Sequence, residues 1–224
     1  MASRRSPPKS TPASVRRRWK ETYESTPFAH LPWFQPGPSP HVERAVREGL
    51  VPPGSETLDI GCGAGSNVLF LARSGCNSHG IDLAPGAVAA ARQRAREEGL
   101  KVDVREGDAL DLPFEASSLD VVVDNGCFHT LDFAHREAYA NELARVLRPQ
   151  GLLLLGWIGR ETVTEEGPPH RPSLHEATET FEPKFLFLRV WVSQTPLERG
   201  ESEYGWTTYY SWLRRRPGPP PPLR

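Results

Sequence analysis

The sequence predicts an α/β fold, a mostly parallel sheet covered by helices on both faces, and three observations carry that prediction. Short apolar, β-branched runs alternate with helix-like patterns along most of the chain. The first run, Thr57-Leu58-Asp59-Ile60, empties into a glycine-spaced turn, Gly61-Cys62-Gly63-Ala64-Gly65, that opens onto a helical stretch from Ser66 to Arg73. The next run ends in an acid, Asp82, 21 residues after Gly61. Such a turn brings a ligand against bare backbone because glycine adopts positive φ, and the helix start offers unpaired N–H groups.

The elements then follow in order. Ser78-His79-Gly80-Ile81-Asp82 reads as the second strand, and Pro85 starts a long Ala- and Arg-rich helix. Val102-Asp103-Val104-Arg105-Glu106 reads as the third strand, with Gly107-Asp108-Ala109 as a polar turn after it. Leu119-Asp120-Val121-Val122-Val123-Asp124-Asn125-Gly126 is apolar and β-branched enough for a central fourth strand. Phe133 to Val146 reads as a helix with Tyr139, Leu143 and Val146 on one side, and Gly151 to Trp157 as a fifth, wholly apolar strand. Ser173 is placed as a helix N-cap, with Glu176 at capping-box spacing. Phe185 to Val192 and Gly205 to Trp212 read as two final strands joined by a polar connection over 193–204. No repeat or linker interrupts residues 20–213, so 51–214 reads as one domain behind an N-terminal segment, 15–50.

Two details narrow the ligand. Ser66 stands where the dinucleotide fingerprint has its third glycine. Asp59 lies two residues before Gly61, where a pyrophosphate would meet negative charge. An acidic turn suits a cationic or zwitterionic ligand, and a carboxylate at Asp82 suits a ribose diol.

Several pieces, in this order and spacing, resemble the class I S-adenosylmethionine-dependent methyltransferases. They are Leu58-Asp59-Ile60-Gly61-Cys62-Gly63-Ala64-Gly65, Gly80-Ile81-Asp82-Leu83, Gly107-Asp108-Ala109, Asp124-Asn125-Gly126-Cys127-Phe128-His129 and Leu147-Arg148-Pro149-Gln150-Gly151. The resemblance spans residues 19–213. Asp124 to His129 and Trp19 to Pro40 look most like the small-molecule branch around thiopurine and tellurite-resistance methyltransferases. The resemblance implies a three-layer αβα Rossmann-like fold on a seven-stranded, mostly parallel sheet with an antiparallel last strand. It implies S-adenosylmethionine as cofactor and S-adenosylhomocysteine as product.

Residue roles follow from the same resemblance. Asp59 would orient the amino-acid end of the cofactor, directly or through water; Asp82 would hold the ribose diol, and Leu83 would pack on adenine. Asp108 and the Ala109 N–H would meet the adenine amine edge, with Gly61, Gly63, Gly65, Asn67 and Asn125 completing the cofactor set. Read from the residues alone, Asp108 equally caps a turn and Asp59 equally serves behind the site. Asp124 and His129 are the catalytic candidates, His129 as a general base or else as a buried histidine bonded to backbone. The Asn-Pro-Pro-aromatic motif of amino-methylating relatives is absent, which disfavours methylation of amines and nucleobases. Trp19, Tyr23, Phe28 and Trp33 form an aromatic lid, or an arm pinned to the core, and Phe128, Trp157 and Arg171 are placed around the substrate. Arg171 or Arg160 suits an anionic substrate group, surface solvation being the alternative for each.

Composition sets further bounds. Cys62, Cys76 and Cys127 are too few and too scattered for a disulfide scaffold or a C-x-x-C metal site, and no metal is expected. No apolar run approaches a membrane span. A cytoplasmic protein, monomeric or weakly dimeric, is the expectation, with a transit peptide as the minority reading of the Arg- and Ser-rich start. The net charge of −1 hides an asymmetry: residues 1–20 hold seven Lys/Arg and no acid, 214–224 hold four Arg, and 21–213 carry a net −12. An acidic body argues against a nucleic-acid substrate. Residues 1–14 and 215–224 read as disordered basic and Pro-rich tails. The expected function is methyl transfer to a small molecule, such as a thiol or another soft or anionic nucleophile. The alternatives are a protein or RNA substrate docked by the tails, and a cofactor-binding protein without turnover.

Overall fold

Leucine-rich and β-branched runs bounded by glycine and polar stops become strands, and the stretches between them become helices. The computed structural model describes residues 12–162, 168, 170–195 and 206–217. The strands are β1 (Glu56–Ile60), β2 (Asn77–Asp82), β3 (Asp103–Glu106), β4 (Leu119–Asn125), β5 (Leu147–Ile158), β6 (Phe185–Thr195) and β7 (Trp206–Arg215). The helices are α1 (Pro12–Ser25), α2 (Pro40–Arg47), α3 (Ser66–Arg73), α4 (Pro85–Glu97), α5 (Phe133–Val146) and α6 (Leu174–Phe181).

The seven strands run in the order β3-β2-β1-β4-β5-β7-β6. β1 to β5 are mutually parallel, while β7 is antiparallel to both β5 and β6. From β1 the chain winds outward to β3, then returns to lay β4 on the other side of β1. That reversal marks the place, beyond the carboxyl ends of β1 and β4, where ligands of open α/β sheets bind.

Period-two alternation sorts β5 between the two faces. Leu152 and Leu154 join Val42, Ala45, Leu71 and Trp212 under α2 and α3. Leu153, Leu155 and Trp157 join Tyr139, Leu143 and Phe181 under α5 and α6. Burial on both faces explains why β5 reads as continuously apolar.

The ends of the chain differ from expectation. Pro12 starts α1, so residues 12–14 belong to a helix and not to a tail; proline suits a first helical turn, whose N–H groups lack partners anyway. Residues 1–11 and 218–224 of the expected tails lie outside the described residues. β7 continues through Arg215, whose guanidinium donates to Ser117 Oγ at 3.0 Å and to the Leu147 carbonyl. β6 runs on to Thr195, and the rest of the expected polar connection lies outside the described residues. The three cysteines are free thiols, and among the described residues no cluster of metal-ligating side chains occurs. No described helix is long and apolar enough to cross a membrane.

Candidate cofactor and acceptor site

The glycine turn between β1 and α3 keeps Gly61, Gly63 and Gly65 at φ of 62°, 53° and 88°, a region open to glycine without penalty. Cys62 N donates to the Ile81 carbonyl at 2.9 Å, which ties the turn to β2. At the end of β2, Asp82 accepts from Gly63 N and from Ala84 N, both at 2.9 Å. The carboxylate thus ties the tip of the turn to the start of α4. Gly65 also permits close packing, since a Cβ there would stand 3.0 Å from Ala91 Cβ.

The aromatic arm lies over this turn. A Cβ on Gly63 would meet the Tyr23 hydroxyl at 3.0 Å, and one on Gly86 would meet Tyr23 Cβ at 3.0 Å. Burial, together with the nearby Asp82 carboxylate, pushes the Tyr23 phenol well above its usual range. Trp19 meets Trp33 edge-on at 5.7 Å between ring centres, and Phe28 meets Phe34 at 5.1 Å. Arg94 fastens the arm, donating to Ala64 O at 2.6 Å and Pro36 O at 3.2 Å while lying 5.5 Å over Phe34. The four lid candidates therefore share one arm, but only Tyr23 is seen against the glycine turn; Trp33 is half exposed.

Acids crowd the same strand ends. Asp59 is 2% exposed and lies behind the turn, where it accepts from Val68 N at 3.2 Å and from the Asn67 side chain. Asn67 in turn accepts from Ser39 N at 2.8 Å. Asn67 is thus a buried bridge from α2 to Asp59, which corrects its assignment to the cofactor set. Asp59 supports the helix start from behind. Asp108 accepts from Leu110 N at 3.0 Å, the turn-capping geometry, with Ala109 buried beside it. Leu83 follows Asp82 as a half-buried side chain.

Burial, then the neighbouring Asp124 and Asp82 charges, pushes the Asp59 carboxyl up to about 8. An unfolded chain ionises this group near 4. Between those values the folded chain holds a proton that the unfolded chain has released. The Asp59 contribution to stability therefore falls as pH rises from about 4 to about 8, by about 1.4 kcal/mol per unit. Asp59→Asn is expected to melt above wild type at pH 8, with the gap closing toward pH 4. Thermal melts at both values check this, and an equal shift at both would contradict it.

On the β4 side several expectations give way. Asp124 is fully buried, and accepts from Cys127 N at 2.7 Å, Phe128 N at 3.0 Å and Tyr139 Oη at 2.6 Å. Its oxygens are committed to the turn after β4, so it is a structural carboxylate and not a catalytic one. Phe128 and Trp157 are fully buried in the core, in edge contact with each other at 6.3 Å, and cannot wall a substrate. His129 Nδ1 accepts from Ile158 N at 2.9 Å, and burial, with Arg171 nearby, lowers its pKa to about 3. The ring is neutral, its proton on Nε2 by virtue of that bond, so the general-base role is withdrawn in favour of a histidine bonded to backbone. Arg171 donates to Pro168 O at 3.2 Å and Thr162 O at 3.4 Å and lies 5.9 Å from the Trp206 ring. It ties down the segment after β5. Asn125 ends β4 as an exposed side chain.

One residue went unnoticed in the sequence. His41, in the first turn of α2, is fully buried and stacks on Tyr210 at 4.8 Å; the Leu154 backbone lies within reach of its ring, but no well-formed hydrogen bond serves either ring nitrogen. Gly156 lets it approach Asn125: a Cβ there would lie 2.6 Å from Asn125 Oδ1 and 3.1 Å from His41 Cε1. Ser39-Pro40-His41 looks locally like any helix start, because the groups that bury His41 come from β5 and β7.

Comparison with known proteins is consistent with this arrangement. Residues 57–151 match the family described as "Methyltransferase domain". The 2-heptyl-1-hydroxyquinolin-4(1H)-one methyltransferase of Mycobacteroides abscessus is 30% identical over 122 residues, 54% of this chain and 53% of that protein. The nocamycin O-methyltransferase of Saccharothrix syringae is 40% identical over 129 residues, 55% of this chain and 41% of that protein. The chain thus spans about half the length of the curated relatives it matches. A solved structure described as "Conversion of a Disulfide Bond into a Thioacetal Group during Echinomycin Biosynthesis" aligns with a TM-score of 0.76 and 25% identity, over 90% of this chain and 92% of its own.

Proposed function

Residues 57–151 match a methyltransferase-domain family, and we propose that the chain is a class I S-adenosylmethionine-dependent methyltransferase that methylates an acidic hydroxyl of a small molecule. The observation that carries the cofactor part of this reading is the acidic end of β2. Asp82 holds the tip of a turn of positive-φ glycines and Asp108 ends the neighbouring β3 turn, while Asp59 braces the turn from behind. Such a cradle opposes phosphate and favours a ligand bearing sulfonium and ammonium charge, with Asp82 and the Gly61–Gly65 backbone as its holders. When bound, that cofactor supplies a methyl group made electrophilic by the sulfonium.

What the chain itself does is position and enclose. Asp82 fixes the turn, Arg94 holds the arm, and Tyr23 closes over Gly63 to exclude water. His129 offers no base, because Nδ1 is occupied and its pKa is low. Asp124 has its oxygens committed. An acceptor that ionises by itself is therefore favoured, as a phenol, enol or N-hydroxy group does. Oxygen as the acceptor atom is supported by the relatives, one named an O-methyltransferase and the other named for a 1-hydroxyquinolone. A thiol acceptor is the second reading, favoured by the sulfur chemistry in the description of the aligned structure.

The test is S-adenosylhomocysteine release across phenols of graded acidity, aliphatic alcohols and thiols. Rates are expected to rise with phenol acidity, and the pH profile to follow each phenol's own ionisation with no inflection from His129. Alcohols turned over as fast as acidic phenols would overturn the proposal, and thiols alone turned over would select the second reading.

A further inference from the structure

Arg136, on α5, is 4% exposed, and its Nη2 donates to the His170 carbonyl at 2.9 Å. Its Nε and Nη1 make no hydrogen bond. The nearest acid, Glu176, stands off at 3.9 Å from Nη1. That carboxylate is already committed, since it pairs with Arg160 and accepts from Ser173 N at 2.8 Å in the capping box of α6. One carboxylate therefore serves two guanidiniums. Among the described residues the other acid in reach, Asp132, spends an oxygen on capping α5 through Ala134 N at 3.1 Å. Burying a guanidinium with unmatched donors is costly, and removing its counter-charge costs more.

The surroundings add positive charge. Arg18 of α1 lies within electrostatic reach of His170, and Arg171 within reach of His129. This concentration stands in a body whose residues 21–213 carry a net −12. It also stands beside the turn after β4. Arg136 lies 5.4 Å from the ring of Phe128, the residue before His129 in the turn after β4. On its other side, at 5.7 Å, is Phe133, a side chain 72% exposed. An exposed aromatic ring over a buried, under-matched cation suits an apolar ligand that ends in an oxyanion.

We propose that the methyl acceptor carries an oxyanion apart from its methylated hydroxyl, a carboxylate or a phosphate, and that Arg136 with Arg160 binds it while Phe133 packs on the acceptor's apolar body. This rests on the methyltransferase reading above. Arg136 is a specificity residue and takes no part in the displacement.

The experiment uses the full chain saturated with S-adenosylhomocysteine and three probes: 4-hydroxybenzoate, its methyl ester, and 4-hydroxyphenyl phosphate. Binding is followed by calorimetry, and turnover with S-adenosylmethionine gives kcat and KM. The ester has the more acidic phenol, so acidity alone ranks it first; recognition of the oxyanion ranks it last. Wild type is expected to bind and methylate an anionic probe about 10- to 100-fold better than the ester. Whichever anionic probe leads identifies carboxylate or phosphate as the source. Arg136→Gln is expected to raise KM for the anionic probe by a similar factor, with ester turnover and S-adenosylhomocysteine affinity unchanged, and Arg136→Lys to restore part of the preference. Should Arg136→Gln not fold, exposed Arg160→Ala is read in its place, with a smaller loss in the same direction. Equal binding of ester and anions, or no binding of any probe by protein that holds S-adenosylhomocysteine, overturns the proposal. Failure to bind S-adenosylhomocysteine at all would instead sink the methyltransferase reading.

Discussion

Asp124→Ala is expected to lower the melting temperature by about 10 °C, because it strands buried donors on Cys127, Phe128 and Tyr139. Each buried donor left unmatched costs about 1–3 kcal/mol, so a loss of about 3 kcal/mol or more follows, and a domain of this size shifts about 2–4 °C per kcal/mol. The turn that carries Phe128 and His129 hangs on those bonds, so activity would fall with stability. Asp124→Asn separates fold from chemistry, since it keeps an oxygen for the backbone donors. It is expected to melt closer to wild type and to retain turnover. A variant as stable as wild type but inactive would restore Asp124 to a catalytic role.

Asp82→Asn is expected to weaken S-adenosylhomocysteine binding by about 10- to 100-fold, the effect of losing a charge-assisted hydrogen bond. The carboxylate also accepts from Gly63 N and Ala84 N, and its amide can serve only one of them well, so a modest drop in melting temperature accompanies the loss. Calorimetry on protein shown to be folded checks the expectation. Unchanged affinity would remove Asp82 from the cofactor site and weaken the case for the glycine turn with it.

The contrast between these two aspartates shows how far local sequence reaches. Both end strands of the parallel sheet, and both were expected to face the ligand. Asp82 is proposed to keep that place, although its oxygens also accept from Gly63 N and Ala84 N, because the turn it holds contains Gly63, whose bare backbone lies under the arm. Asp124 loses it because a tyrosine 15 residues away on α5 and two backbone N–H groups consume its oxygens. Phe128 sits within the Asp124-to-His129 motif and Trp157 near the end of β5, but both pack under α5 and α6. Arg136 was passed over for a related reason: on a helix of mixed polarity it looks solvated, and its burial depends on Phe128, Phe133 and the segment around His170.

By itself the sequence determined the succession of strands and helices, the glycine turn and the capping box of α6, because each depends on residues within one or two turns of chain. Backbone φ, helix start and strand period are short-range properties, and the expected elements agree with the observed ones over β1 to β5. Only the tertiary structure decided which polar side chains stay available to a ligand. That depends on what they meet in the packed fold: His129 accepts from β5, Asn67 from the start of α2 and Asp124 from α5, while His41 is buried by stacking on β7. A buried polar atom takes whatever partner the packing brings, and local residue order carries no record of that partner.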